Sequence, residues 1–434
     1  MGEGKKTSKS VDHSSDMNAG EYNFIRETIK NRPVNRKNLF IRAASVTGGA
    51  ALFGIVAAIA FSLTFSAAED YQSRSRRQER EVEIPRDEPE EAKEIKEADT
   101  PAPQIVEVPR NITLADYEKI YNEILKISEN PRKALVHVSG IEKKEDLLDN
   151  TLLSSGESEG IIIENNGTEM FILTELAALS EAERIKVEFV DGSTAQAVGV
   201  KGDSATGLAV IQVSSASLKK STLEHVTVAK LGNSYSLVQG KAVIAIGKPT
   251  GYNDSVVYGN VTSVTNKVPV TDMEYNLLTT DILGSGQGSG MLLDTSGNII
   301  GVIAMAYGPE DTQTMVKALS VSQLKPLIEN LSNGKDILYM GVRGQEVSEE
   351  TAKSMEISRG IFVDKVEEDS PAMEAGIQRG DVITSFNKKD IHTMQRFYAE
   401  LQKCEKGQKV ELAVMRKGAE SYGQTKINVT LDVK

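Results

Sequence analysis

"GSGQGSGMLLDTSGNIIGV", residues 284–302, sets four alternating glycines ahead of two apolar runs separated by the turn signal Asp-Thr-Ser-Gly. Glycine at Gly284, Gly286, Gly288 and Gly290 gives a tight loop access to positive φ, and the apolar runs read as adjoining β-strands. As a phosphate loop the stretch fails, having neither a Gly-Lys-Ser/Thr ending nor a helix after it. A glycine-rich turn with a serine ahead of a strand is instead the pattern of a nucleophile loop, where backbone N–H groups stabilise an oxyanion. Whether Ser289 is a nucleophile depends on its partners elsewhere in the chain.

Outward from this loop, residues 134–331 keep the same texture. "ALVHVSG", "GIIIENNG", "EMFILTEL", "IKVEFVDGS", "LAVIQV", "KAVIAIGKP", "VVYGNVTSV" and "NLLTTDI" are short β-type runs punctuated by Gly, Asn, Asp and Ser. Such spacing predicts an antiparallel sandwich or paired barrels. "SVSQLKPLIENLSNG" follows as a helix, with Leu324, Leu327, Ile328 and Leu331 spaced for burial and Gly334 as its stop. Before the β region, "TLADYEKIYNEILKIS" places Leu114, Tyr117, Tyr121, Ile124 and Leu125 on one helical face behind a Thr113 cap. That face predicts a short amphipathic helix packed on the following domain. Residues 337–434 form a smaller unit with its own strands and a helix in "TMQRFYAELQKC".

The N-terminal part is different. Residues 43–68 carry no charge, a run long enough at about 1.5 Å per residue to cross the roughly 30 Å hydrocarbon core. Its length and the polar segment ahead of it favour an uncleaved anchor over a signal peptide. Residues 1–42 read as a cytoplasmic polar tail, and the acidic, proline-containing segment 69–112 as a disordered charged stalk. A net charge of -12, a pI near 5.1 and no basic face beyond the N-terminus exclude a general nucleic-acid binder. A single cysteine, Cys404, excludes an internal disulfide and reads as core filler. Scattered histidines (His13, His137, His225, His392) without a Cys/His cluster argue against a metal, and no motif calls for another cofactor.

In this order, anchor, stalk, β region and terminal module resemble the membrane-anchored HtrA/Deg family of trypsin-like serine proteases with a C-terminal PDZ domain. The resemblance runs from Ala134 to the C-terminus. "VQGKAVIAIGKPTGYNDSVVYGNVTSV" (238–264) resembles the family's barrel strand, Gly-x-Pro-x-Gly turn and following strand. "LLTTDI", a Gly/Ser loop and "GNIIGVIA" resemble the nucleophile region, and "SPAMEAGIQRGDVITSFN" resembles the PDZ domain. The implied fold is mainly β: a leading helix and trypsin-like double β-barrel over 113–336, then an α/β PDZ domain over 337–434.

Carried across residue by residue, the catalytic triad is vacant. "ILTELAA" puts Ala177 at the histidine place, and "TGLAV" puts Gly207 at the aspartate place. Aligned backward from "GNIIGV" the serine place falls on Gly288, and aligned forward from "TTDI" it falls on Ser289; both registers stay open. A serine hydroxyl is a weak nucleophile until an oriented base takes its proton. Glu175, beside the vacant histidine place, is the nearby substitute. The segment Gly286, Gln287, Gly288 and Ser289 reads as the remnant of an oxyanion cradle.

In the terminal module, Tyr339, Met340, Gly341 and Val342 resemble the PDZ loop whose N–H groups take a peptide's terminal carboxylate. Phe397 and Leu401, four residues apart on one helix face, either line the peptide groove or belong to the core. The resemblance implies a single-pass pseudoprotease with barrel and PDZ domain outside a bacterial cell membrane. It would bind peptide or protein C-termini and unfolded polypeptides in envelope quality control or regulation, with an active protease as a further partner. Two alternatives remain: an active serine endopeptidase using Ser289 with an unconventional base, and a structural scaffold such as a homotrimer.

Overall fold

The computed structural model describes residues 81–87, 113–143, 152–180, 182–308, 314–418 and 421–433. The expected tail (1–42), membrane span (43–68) and most of the stalk (69–112) lie outside these residues. No helix among the described residues is long and apolar enough to cross a membrane.

The leading helix α1 (Leu114–Arg132) starts where expected. Thr113 and Asp116 form a reciprocal capping box, each side chain taking the other's backbone N–H. Its apolar face, however, is not covered: Leu114, Tyr117, Ile120, Tyr121 and Leu125 are all exposed. Only the last turns engage the following domain, with Ser128 buried and Ile124 and Ile127 against the core. The spacing predicted the helix and its packing on the following domain, but only the C-terminal part of its face is covered, because periodicity defines a face without saying how much of it is met.

Seven antiparallel strands follow: β1 (Leu135–Lys143), β2 (Leu152–Asn165), β3 (Glu169–Glu175), β4 (Arg184–Phe189), β5 (Thr194–Gln196), β6 (Gly199–Asp203) and β7 (Leu208–Ser214). Their order is β5-β4-β1-β2-β3-β7-β6, an open ladder. Two rungs draw its edges together: Ala197 donates its N–H to Ile185 O at 3.0 Å and Val198 to Gln212 O at 2.7 Å. After a short helix α2 (Lys220–His225), six strands close on themselves. These are β8 (Ala242–Lys248), β9 (Ser255–Val270), β10 (Met273–Leu283), β11 (Ser289–Leu293), β12 (Ile299–Ile303) and β13 (Met315–Ser320), in the order β10-β13-β12-β11-β8-β9. The expected double barrel is therefore one closed barrel and one sheet curled toward closure. Closing a sheet removes its edges and the unpaired N–H and C=O groups they carry.

Helix α3 (Val321–Ser332) ends this part, with Leu324, Leu327, Ile328 and Leu331 all buried and Gly334 at φ +64° just beyond. One shared apolar core joins the sheet (Val136, Ile161, Phe171), the barrel (Ile246, Met291) and α3.

Part of the expected stalk is docked on α3. Val82 and Ile84 are buried, and the Asn333 side chain accepts the Val82 N–H at 2.7 Å and donates to its carbonyl at 2.8 Å. Asp87 then takes Lys325, itself only 4% exposed, at 2.7 Å. Acidic, proline-containing composition hid a two-residue apolar alternation that a ready-made helix surface can use.

The terminal module is an independent sheet, β15 (Val342–Glu346), β16 (Ile361–Val366), β17 (Val382–Phe386), β19 (Lys409–Lys417) and β20 (Tyr422–Thr430), with β18 (Lys389–Asp390) beside β17. A small pair, β14 (Leu338–Tyr339) and β21 (Asp432–Val433), closes its base, and helices α4 (Glu349–Ser354), α5 (Pro371–Glu374) and α6 (Met394–Leu401) cover it. It has its own core, in which Phe386 and Phe397 meet edge to face at 5.9 Å. Cys404 packs half-buried against that core, with burial raising its thiol pKa, consistent with filler.

Candidate functional site

Strand β3 ends at Glu175 opposite Leu208, the first residue of β7, and turns into a 3-10 segment, Leu176–Leu179. There the Leu176 N–H donates to Gly207 O at 2.8 Å. This bond ties the segment that carries Ala177 to Gly207. Ala177 is exposed and offers only a methyl group; Gly207 is exposed at φ +71° and offers nothing. The carboxylate in that turn, Asp203, is committed locally, accepting the N–H groups of Ala205 and Thr206 and the Thr206 hydroxyl at 2.7 Å.

The glycine-rich loop belongs to the barrel, between β10 and β11. Strands β8 and β11 approach so closely that a Cβ on Gly290 would lie 2.2 Å from Ile246 O, with Gly290 at φ +122°. A Cβ on Gly288 would lie 2.6 Å from Pro249 O, so in this loop conformation that position has no room for a serine. Of the two registers, the one with a hydroxyl is Ser289. It opens β11 opposite Lys248, is 2% exposed, and its Oγ accepts the Glu159 N–H at 3.1 Å. No carboxylate or imidazole among the described residues hydrogen-bonds to that hydroxyl. The remnant cradle is folded inward: Gly288 N–H donates to Ser285 O at 2.8 Å and Gln287 N–H to Ser285 Oγ at 3.3 Å. Gly286 and Gln287 are exposed.

Two titratable groups sit close by. Burial pushes the Glu175 carboxyl up to about 7, against the opposing pull of the Lys248 ammonium and the Ser158 hydroxyl. His137 is raised chiefly by the Glu159 carboxylate, with burial opposing. Its ring nitrogens stand 3.7 Å from Glu159 and from Glu157, too long for hydrogen bonds, so the attraction is coulombic. His225 and His392 lie elsewhere, and no His/Cys/Asp/Glu group among the described residues could hold a metal.

In the Tyr339–Val342 segment the N–H groups of Met340, Gly341 and Val342 are all engaged. Between β14 and β15, Gly341 at φ +94° turns the chain against Ser370, so that the N–H groups of Met340, Gly341 and Val342 converge. They converge on the side chain of Asp272. Met340 donates to Oδ2 at 2.8 Å, Gly341 to both oxygens at 3.0 Å, and Val342 to Oδ1 at 2.8 Å. In return the Asp272 N–H donates to Val342 O at 2.7 Å. Asp272 lies at the tip of the β9–β10 hairpin, where Val270 pairs with Met273 across a two-residue turn, and it takes φ +62°. It is 3% exposed.

Phe397 and Leu401 are fully buried in the PDZ core. Of the two roles the spacing left open, the structure assigns them that of core. The neighbouring Tyr398 instead joins the barrel core with Val270, Met273 and Tyr275. Asp272 was missed because "PVTDME" carries only the signal of a turn; nothing local ties it to a loop some seventy residues on.

With this geometry in place, comparison with known proteins adds the following. Residues 158–302 match the trypsin-like peptidase domain family and residues 339–428 the PDZ domain family. The chain is 30% identical over 294 residues to the serine protease Do-like HtrA of Bacillus subtilis (strain 168), covering 63% of this chain and 64% of that protein. It is 28% identical over 265 residues to the periplasmic serine endoprotease DegP of Salmonella typhimurium, covering 60% and 54%. The chain thus spans about three fifths of the length of the curated relatives it matches. The solved HtrA-type protease AlgW with decapeptide aligns at TM-score 0.52 and 22% identity, over 72% of this chain and 98% of that one, a likeness of fold. The chain is thus similar to HtrA/Deg-type proteases, with a match to the trypsin-like peptidase domain followed by one to the PDZ domain.

Proposed function

We propose that this HtrA-like chain is a pseudoprotease whose output is binding: it takes the C-termini of peptides or exposed ends of unfolded proteins at its PDZ loop. The observation that carries this reading is a contrast between two sites. The Ser289 hydroxyl is buried on a backbone N–H, and no base among the described residues hydrogen-bonds to it. At the PDZ loop three N–H groups hold a carboxylate with good geometry. The first arrangement cannot deprotonate a nucleophile; the second recognises the end of a chain. Anchored by residues 43–68 with both domains outward, the protein would act in envelope quality control or regulation, beside an active protease.

The test is fluorescence anisotropy of the purified full chain with a pool of labelled decapeptides ending in apolar residues. Saturable binding of free-carboxylate peptides, lost on C-terminal amidation, is the expected result. Equal binding of both forms contradicts it, as does binding of neither form even by the Asp272→Gly variant.

One observation favours a second reading, a slow serine endopeptidase using Ser289. Glu175, raised to about 7, has the acidity a general base needs near neutral pH. That reading requires Ser289 to leave Glu159 and meet Glu175.

A further inference from the structure

We infer that Asp272 is a built-in imitation of a peptide C-terminus, and that the β9–β10 hairpin keeps the PDZ carboxylate loop closed until a terminal carboxylate displaces it. This regulation rests on the peptide-binding reading of the same loop.

The imitation extends beyond charge. A bound C-terminus must satisfy the converging N–H groups with two oxygens and also begin a strand ladder with the neighbouring edge. Asp272 does both: its carboxylate fills the loop, and its own N–H bonds Val342 O, the first carbonyl of β15. The left-handed φ of +62° lets one residue present side chain and N–H to the same loop. Asp is among the few non-glycine residues that take this conformation readily.

The hairpin is fastened around that contact by polar bonds that can exchange with water. Thr271 Oγ1 donates to Glu367 at 3.3 Å, and Lys267 on β9 reaches Glu346 on β15 at 3.3 Å. Outside the hairpin, Gln395 on α6 donates to the hydroxyl of Tyr235, in the 3-10 turn Ser234–Ser236, at 2.6 Å. Against these, Tyr398 is buried in the barrel core, so opening the latch exposes an aromatic ring and carries a real cost.

The consequence is quantitative. A tethered carboxylate competes at an effective concentration on the order of millimolar, and the apparent affinity for any free ligand falls by the fraction of molecules that are open. A latch closed about 99% of the time weakens peptide binding roughly a hundredfold. Removing the carboxylate restores that affinity without adding a contact to the peptide.

The experiment compares wild-type full chain with Asp272→Gly, which accepts the positive φ without strain, and Asp272→Asn, which keeps the shape of the turn. Two readouts are taken: anisotropy with the free-carboxylate and amidated decapeptide pools, and amide hydrogen exchange of Met340 to Val342. The inference predicts that D272G binds the free-carboxylate pool at least ~10-fold more tightly than wild type, with D272N between them. The amidated pool should stay unbound, and exchange at residues 340–342 should accelerate in both variants. If wild type binds as tightly as both variants, the latch is overturned and the peptide-binding reading stands. If exchange accelerates and neither pool binds any of the three proteins, the peptide-binding reading fails, and the closed-latch inference falls with it.

Discussion

Ser289 Oγ accepts the backbone N–H of Glu159 at 3.1 Å, so the hydroxyl at the nucleophile place serves as a tie between β11 and β2. Both partners are buried, and losing an acceptor under a buried N–H costs more than the bond itself contributes. Ser289→Ala should therefore lower unfolding stability by about 1–3 kcal/mol in urea titration. In a protein where Ser289 merely waits for a base, the same change would be nearly neutral.

The same tie predicts that refilling the triad fails. Gly207 has open space for a Cβ, Asp is among the side chains that tolerate its φ of +71°, and Ala177 is exposed, so Ala177→His with Gly207→Asp can be made without a clash at Gly207. The double variant should show no labelling by a fluorophosphonate probe, because the hydroxyl stays committed to Glu159 and the N–H groups of the loop stay folded onto Ser285. Triad members act as a unit, and an incomplete one forfeits on the order of a millionfold in rate.

Glu175 gives a pH signature. Its folded carboxyl pKa is raised to about 7, so the folded state binds the proton more tightly than the unfolded chain does. Stability from this group is present below about 4.5 and is lost as pH rises toward 7. Glu175→Gln, which cannot ionise, should be more stable than wild type at pH 8 by on the order of 1–3 kcal/mol, and the gap should close by pH 4. Chemical denaturation at the two pH values measures it.

The docked segment 81–87 makes a further prediction. Lys325 is buried against Asp87, and removing the acid leaves an ammonium without its partner. Asp87→Ala should cost about 3 kcal/mol, and replacing both residues by apolar ones of similar size should recover most of it. Limited proteolysis should then cut near residue 87 in the single variant and spare it in the double one.

What the sequence made legible follows from how local each signal was. The PDZ loop Tyr339 to Val342, the capped start of α1 and the buried face of α3 were readable because each is a short pattern with its own chemistry. Ala177 and Gly207 came only from alignment to the family pattern; the fold itself shows that the Leu176 N–H ties the end of β3 to Gly207. Unreadable features depend on distant surfaces: Asp272 in the PDZ loop, Val82 and Ile84 on α3, and the uncovered face of α1. That Gly288 has no room for a side chain could not be read locally either, since it is the Pro249 carbonyl that fills the space.

The central claim, that the chain binds and does not cut, is tested most directly by incubating the purified full chain with a fluorophosphonate probe and with a chemically unfolded protein substrate, beside Ser289→Ala. The account predicts no labelling and no cleavage above the variant. Labelling or cleavage by wild type that Ser289→Ala abolishes would contradict it.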